Sequence, residues 1–594
     1  MQIPALLRSK QAALHVVTVV VALCSFAYEL AYAELLTVLY GGTVTQYGLT
    51  IGLFFFSLGV GSYLARHLDD SRESNFFRTE LYIGVIAPLG VLFVVWVNAG
   101  QALAALPPLV EQVVVRIPVV LVGVLSGLEL PMLLSMVEDE SDTTGRLSDG
   151  VRTFVSGVDT AAYRAASLIF HTSRDGNEYN IYSSVLAMDY LGGLLGALAF
   201  VFYLYPEVGL VGSVAGLAFL NCLAALLFSL RFSAHGWNRF SADRSVVTHE
   251  RVSAVVVCVL LTVVLGGALA QNEAVNNEVT SYYMENAIEQ EYPRDTIEAT
   301  VTDQYTTEYQ QVTYYDRTWV GEGNNTAFPG KSEQCLRLGT AIQLCESWAE
   351  SYHHGLVDVP LSMYENSTDT DVLVLGGGDW IAANNLREHN VSVDLVDVDS
   401  AFMQQAKTDD LLERYHEDAY EYEHLTVYQQ DAFEFLETTT DTYDLILLDL
   451  PGATDDDLLH LYSTEFYSLL TERLSPDGVV GTWAYTQYAY PEHYHTYMNT
   501  LAEAGFSNVL DYWAYDDLNN DGNRQLGERF FLLTPDGAQP SIDPANGSAY
   551  VRQHDDSYNA TAWTTTPTYE GYEPSSIFQP NYNLIIEQRV TDDN

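Results

Sequence analysis

Asp371-Val-Leu-Val-Leu-Gly-Gly-Gly-Asp379 is a short apolar run that ends in three glycines and an acid. Four consecutive Val and Leu residues between polar neighbours predict a strand buried on both faces, and the glycines predict a tight turn after it. Glycine at Gly376, Gly377 and Gly378 lets the backbone approach a ligand closely. A second apolar strand, Val391 to Val398, carries Asp397-Val-Asp399 at its end. A third ends near Gln430-Asp431-Ala432. A fourth runs from Tyr443 to Leu448 and ends at Asp449, and a fifth follows Pro476-Asp477-Gly478. Helical stretches lie between them. This alternation predicts an α/β Rossmann-like domain, a parallel sheet with helices on both faces. The acids fall at the carboxyl ends of the strands, where such sheets bind ligands, and an acid after the second strand suits ribose hydroxyls.

The rest of the chain divides by composition. Residues 1–270 are mostly apolar, and residues 271–594 are polar, acidic and rich in tyrosine. Seven apolar stretches are long enough, or nearly so, to cross a hydrocarbon core of about 30 Å: 12–38, 46–66, 80–98, 112–136, 182–205, 208–230 and 252–270. The expected organisation is a seven-helix membrane domain over 1–270 and a small β subdomain with linker over 271–370. The Rossmann-like domain follows over 371–535, and an acidic Tyr/Thr-rich tail over 536–594. Basic residues alternate between loops. Arg8 and Lys10, Arg66 to Arg78, Arg146 to Arg174 and Arg231 to Arg251 share one side, against Arg116 alone on the other. The positive-inside rule then puts the N-terminus in the cytoplasm, and seven spans put the C-terminal domain outside the cell. Glu29, Glu34, Glu129 and Asp189 fall inside expected spans. Either a cation or proton path or hydrogen bonding between helices accounts for them. Gly192, Gly193 and Gly196 read as helix packing.

The formal charge is −52, from 26 basic and 78 acidic side chains. Lysine occurs only at Lys10, Lys331 and Lys407. Such a surface needs salt to screen its self-repulsion, which points to a halophilic cell. It also excludes nucleic acid as a partner, because phosphates are repelled.

Cys335 and Cys345 lie equally far from a turn near Thr340, so they are either a cross-strand disulfide or two reduced thiols. Sequons at Asn324, Asn366, Asn390, Asn546 and Asn559 fit an external domain. Asp517, Asn519, Asp521, Asn523 and Glu528 fit the spacing of a calcium loop about Gly522, with an acidic hairpin loop as the other reading.

The order of these motifs resembles the spermidine synthases, a polyamine aminopropyltransferase family. Val372 to Asp379 followed by Leu386-Arg-Glu388 resembles their nucleoside-binding motif. Leu395 to Asp399 resembles their second-strand acids, Asp431 to Phe435 the segment that meets adenine, and Tyr443 to Asp449 the catalytic strand. Leu461 to Tyr467 and Leu474 to Gly478 continue the match in order. Tyr309-Gln310, Leu338 to Gln343 and Tyr352-His353 resemble the family's small β domain and its diamine-contacting pair. Tyr28-Glu-Leu30, Thr50 to Phe54 and Asp189 to Gly192 resemble membrane-bound relatives.

The resemblance implies an S-adenosylmethionine-methyltransferase-type fold. It also implies transfer of an aminopropyl group from decarboxylated S-adenosylmethionine to a diamine. Asp449 is then the base, and Asp379 holds the aminopropyl amine. Gly376 to Gly378 line the donor, Asp397 takes the ribose, and Asp431 with Ala432 meets the adenine. Gln310, Gln343, Tyr352 and His353 orient the substrates. Expected partners are the bilayer and a small cationic diamine or polyamine, with a homo-oligomer and a bound calcium as open options.

Three positions depart from the family. Gly452 replaces a second aspartate, with Asp455, Asp456 and Asp457 nearby as substitutes. Trp380 replaces a glycine and puts a large ring beside the ligand turn. The region of Trp483 replaces a glutamine at the end of the fifth strand. A transport or sensing protein that binds a nucleoside or polyamine without catalysis, and a methyltransferase, are the alternative readings.

Overall fold

The computed structural model describes residues 10–68, 72–100, 102–103, 107–144, 181–232, 244–293, 295–321, 332–339, 341–453, 456–484, 491–516, 525–535 and 539–581. It forms two compact units, Met1–Tyr283 and Met284–Asn594. The division falls inside the helix Asn272–Gln290, a little after the composition change at Gln271.

Among the described residues of the first unit, five helices are long and apolar enough to cross a membrane: Leu14–Tyr40, Thr43–His67, Arg72–Ala99, Leu109–Val137 and Val185–Val208. The sixth expected span falls on the helix Leu210–Phe232, of which Leu210–Leu226 forms a shorter apolar stretch. Val255–Ala270 reaches span length only together with Asn272–Gln290, from which it bends by 81°. Composition located these apolar segments but could not foresee the break at Gln271.

Small residues set the helix spacing. A methyl group on Gly192 or Gly196 would lie 2.5 Å from the Val19 carbonyl oxygen or 2.3 Å from that of Leu23. The two backbones therefore meet where side chains are absent. Three acids in this unit accept hydrogen bonds between helices, whereas Glu29 keeps a buried oxygen without a partner among the described residues. Tyr47 donates to Glu34 at 2.8 Å and Ser25 donates to Glu129 at 3.4 Å. Glu80, which the sequence reading passed over, accepts from Asn221 at 2.8 Å.

The second unit holds two sheets. The first is antiparallel: β1 (Ile297–Thr306), β2 (Gln311–Trp319), β3 (Ser332–Leu338) and β4 (Ala341–Cys345), in sequence order. Cys335 and Cys345 face each other across β3 and β4 and form a disulfide.

The second sheet contains β5 (Asp371–Gly376), β6 (Ser392–Val396), β7 (Leu425–Tyr428), β8 (Tyr443–Asp449), β9 (Leu474–Trp483), β10 (Asn508–Asp516), β11 (Gln525–Thr534) and β12 (Thr564–Thr565). Its order is β12-β10-β11-β9-β8-β5-β6-β7. The five strands β5 to β9 are parallel, and β10 to β12 extend one side antiparallel. β12 belongs to the expected tail, so the tail completes the sheet. Residues of β5 alternate between two cores: Val372 and Val374 enter one, Leu373 and Leu375 the other. A central strand covered on both faces has no solvent side, which is why its sequence is uniformly apolar. From β5 the chain builds outward to β6 and β7, then returns to place β8 on the opposite side. That reversal opens a crevice at the carboxyl ends of β5 and β8.

Candidate active site

The crevice is built by backbone contact. Gly376 pairs with Asp449 across β5 and β8. It has φ +89°, and a Cβ there would lie 2.0 Å from the Asp449 carbonyl oxygen. Only glycine satisfies both conditions. The turn carries Asp379 to the crevice beside Asp449, and both carboxyls are more than nine-tenths buried.

The short helix Ala349–His353 supplies the facing side chains. The Tyr352 hydroxyl donates to Asp449 Oδ1 at 3.2 Å. His353 Nδ1 sits 2.8 Å from the Ala349 carbonyl, which can only accept, so that nitrogen carries a proton. Its Nε2 then points between Asp379 Oδ2 at 3.8 Å and Asp449 Oδ2 at 3.9 Å. Among the described residues, His353 Nε2 and Asp449 Oδ2 are buried with no hydrogen-bond partner. Burial, then the charge of Asp379, pushes the Asp449 carboxyl up to about 6. Burial and the Asp449 charge also raise the Tyr352 phenol well above its ordinary value.

One edge of the crevice is a set of acids held by backbone. Asp397 accepts from the N–H groups of Gly378 at 3.0 Å and Asp399 at 2.8 Å. Burial pushes its carboxyl up to about 7 in spite of those bonds. Asp399 caps the helix Ser400–Ala406 through Phe402 N–H at 3.0 Å. Its other oxygen accepts from Thr307 at 2.6 Å and Gln310 at 3.0 Å. Gln310 thus ties the β1–β2 turn to the second-strand acids. Asp431 caps the helix Ala432–Thr438 through Glu434 N–H at 3.0 Å, and its Oδ2 lies 3.2 Å from His460 Nε2. The bond from His460 outweighs burial and lowers the Asp431 carboxyl.

The structure therefore brings Gly376, Gly377, Gly378, Asp379, Asp397, Tyr352, His353 and Asp449 into one crevice, with Gln310 joined through Asp399. Gln343 lies half-buried at the register shift of β4 and shares no hydrogen bond with them among the described residues.

Trp380 directly follows the ligand turn at φ 68°, and its ring is buried with its N–H donating to the Met403 carbonyl at 3.0 Å. Of the residues with calcium-loop spacing, only Glu528 lies within the described residues. It accepts from the Trp483 indole at 2.7 Å and lies close enough to Tyr352 to perturb that phenol. Asp517, Asn519, Asp521 and Asn523 lie outside the described residues, as do Asn324, Thr340, Asp455 and the side chains of Asp456 and Asp457. The sequence reading missed Asp399 as a clamp and the Trp483–Glu528 pair. The first has a local signal, an acid directly before a helix start. The second joins residues 45 apart and has none.

Residues 349–515 match the spermine/spermidine synthase domain family. The chain is 28% identical over 500 residues to a polyamine aminopropyltransferase of Leptospira interrogans, covering 84% of each chain. It is 25% identical over 563 residues to polyamine aminopropyltransferase 1 of Streptomyces coelicolor, covering 94% of this chain and 91% of that one. Matches of this length extend well into the apolar half. Among solved structures, the spermidine synthase from Thermotoga maritima is 17% identical with a TM-score of 0.32, covering 45% of this chain and 80% of that one.

Proposed function

We propose that this chain, a member of the polyamine aminopropyltransferase family, transfers an aminopropyl group from decarboxylated S-adenosylmethionine to a diamine. The observation that carries the reading is the pair of buried carboxyls, Asp379 and Asp449, at the β5–β8 crevice. Both substrates are cations, and buried carboxylates are what an ammonium needs when it leaves water. Intact S-adenosylmethionine carries a carboxylate that these acids repel, which disfavours methyl transfer.

Asp449 accepts the proton from the attacking ammonium, which frees its lone pair. The neutral amine attacks the methylene carbon beside the sulfonium. The carbon–sulfur bond breaks, and its electron pair stays on sulfur to give methylthioadenosine. Asp379 holds the amine of the aminopropyl group in line with the attack. Asp397 accepts from the ribose and Asp431, with Ala432, meets the adenine. Tyr352 orients Asp449, while His353, Gln310 and Gln343 shape the substrate positions. Transport or sensing by the acids of the helical unit is the second reading, and the interhelical bonds of Glu34, Glu80 and Glu129 favour a structural part for them.

We place the second unit outside the cell. Seven crossings from a cytoplasmic N-terminus, one for each apolar stretch of the sequence, would lead there, and the Cys335–Cys345 disulfide suits an oxidising compartment. Protease access to intact cells tests this. The function is tested by giving the full chain, in detergent at molar KCl, a diamine with each donor. Methylthioadenosine from the decarboxylated donor, without S-adenosylhomocysteine from the intact one, is the expected result. The reverse outcome overturns the reading.

A further inference from the structure

The geometry points to Glu528, held in place by Trp483, as the anchor for the far ammonium of the acceptor. This rests on the aminopropyltransferase reading above. A diamine presents two cations. The near one gives its proton to Asp449, but the far one stays charged throughout and must be paired inside the crevice. Directly after Asp449 the chain reads Leu450-Pro451-Gly452, which offers no second carboxylate.

Glu528 lies on β11, two residues before Phe530, and Phe530 pairs with Trp483 on β9. This pairing brings the Glu528 carboxylate to the Trp483 indole, which donates to Oε2 at 2.7 Å. Phe530 packs against the Tyr352 ring with centroids 5.4 Å apart. Glu528 acts electrostatically on Tyr352, whose hydroxyl bonds to Asp449. Glu528 and Asp449 thus both act on the Tyr352 phenol, Asp449 through a hydrogen bond and Glu528 through its charge. The adjacent Arg529 is directed to Asp511 at 2.9 Å. Among the described residues no basic side chain pairs with Glu528. A half-buried carboxylate with one neutral donor is ready for a cation.

The departures at Gly452 and Trp483 then belong together. The indole can only donate, so it fixes an acceptor such as a carboxylate. A glutamate oriented from β9 supplies the carboxylate that position 452 does not offer.

The test compares 1,4-diaminobutane with butylamine, which lacks the far ammonium, using the full chain at molar KCl. In Glu528→Gln, the ratio of diamine to monoamine kcat/KM is expected to fall tenfold or more, chiefly through the diamine KM. Trp483→Phe moves it the same way by less. Equilibrium binding is measured in parallel, with the melting temperature as a folding control. Glu528→Gln should weaken diamine binding tenfold or more relative to butylamine. If the wild-type chain binds diamine but turns over none, the reaction reading fails while the binding ratio still judges the anchor. An unchanged ratio in both measurements overturns the proposal.

Discussion

The Tyr352 hydroxyl donates to Asp449 Oδ1 at 3.2 Å and leaves Oδ2 buried without a hydrogen-bond partner among the described residues. One oxygen is positioned and the other is left to take a proton. Tyr352→Phe keeps the ring packing and removes the donor. Hydrogen bonds to charged groups contribute about 1.5–3 kcal/mol, so kcat should fall by roughly tenfold or more. The lost donor also lets the Asp449 carboxyl rise, so the acid limb of the pH profile moves to higher pH. An unchanged profile contradicts this role.

The pH dependence of the wild-type chain follows from two acids. Asp449 at about 6 and Asp397 at about 7 both work as carboxylates. Lowering the pH protonates Asp397 first and Asp449 second. Donor kcat/KM should therefore fall below pH 7, with a slope steeper than one proton below pH 6. A flat profile from pH 5 to 8 contradicts the assignment.

Trp380 is a packing residue. Its removal in Trp380→Gly leaves a cavity costing roughly 3–5 kcal/mol, partly offset by relief of a positive φ. The melting temperature should drop while the donor KM stays within about threefold. A large improvement in donor KM would show that the ring obstructs the site after all.

The formal charge of −52 makes stability depend on salt. The screening length is about 10 Å at 0.1 M salt and about 3 Å at 1 M. Thermal unfolding of the full chain in detergent should shift to lower temperature as KCl falls from 2 M to 0.1 M. A melting temperature independent of KCl contradicts the halophilic reading.

What the sequence made legible was local. β5 is a continuous apolar run because both its faces are covered, and Asp397 and Asp449 are marked because each directly ends a strand. Gly376 is readable because only glycine fits beside the Asp449 carbonyl. What escaped depends on distant partners or on backbone sign. The left-handed φ of Trp380 and its bond to Met403 leave no local trace. Glu528 meets Trp483 across two strands, 45 residues apart, with no local signal. The 81° bend between Val255–Ala270 and Asn272–Gln290 likewise leaves no mark in hydropathy.

The central claim is that Asp449 removes the proton that makes aminopropyl transfer possible. Its most direct test is methylthioadenosine release by the full chain and by Asp449→Asn, at molar KCl with decarboxylated S-adenosylmethionine and a diamine. The account predicts diamine-dependent release in the wild type, and a loss of at least a hundredfold in the variant with donor binding retained. Release by Asp449→Asn at a rate near the wild type would contradict it.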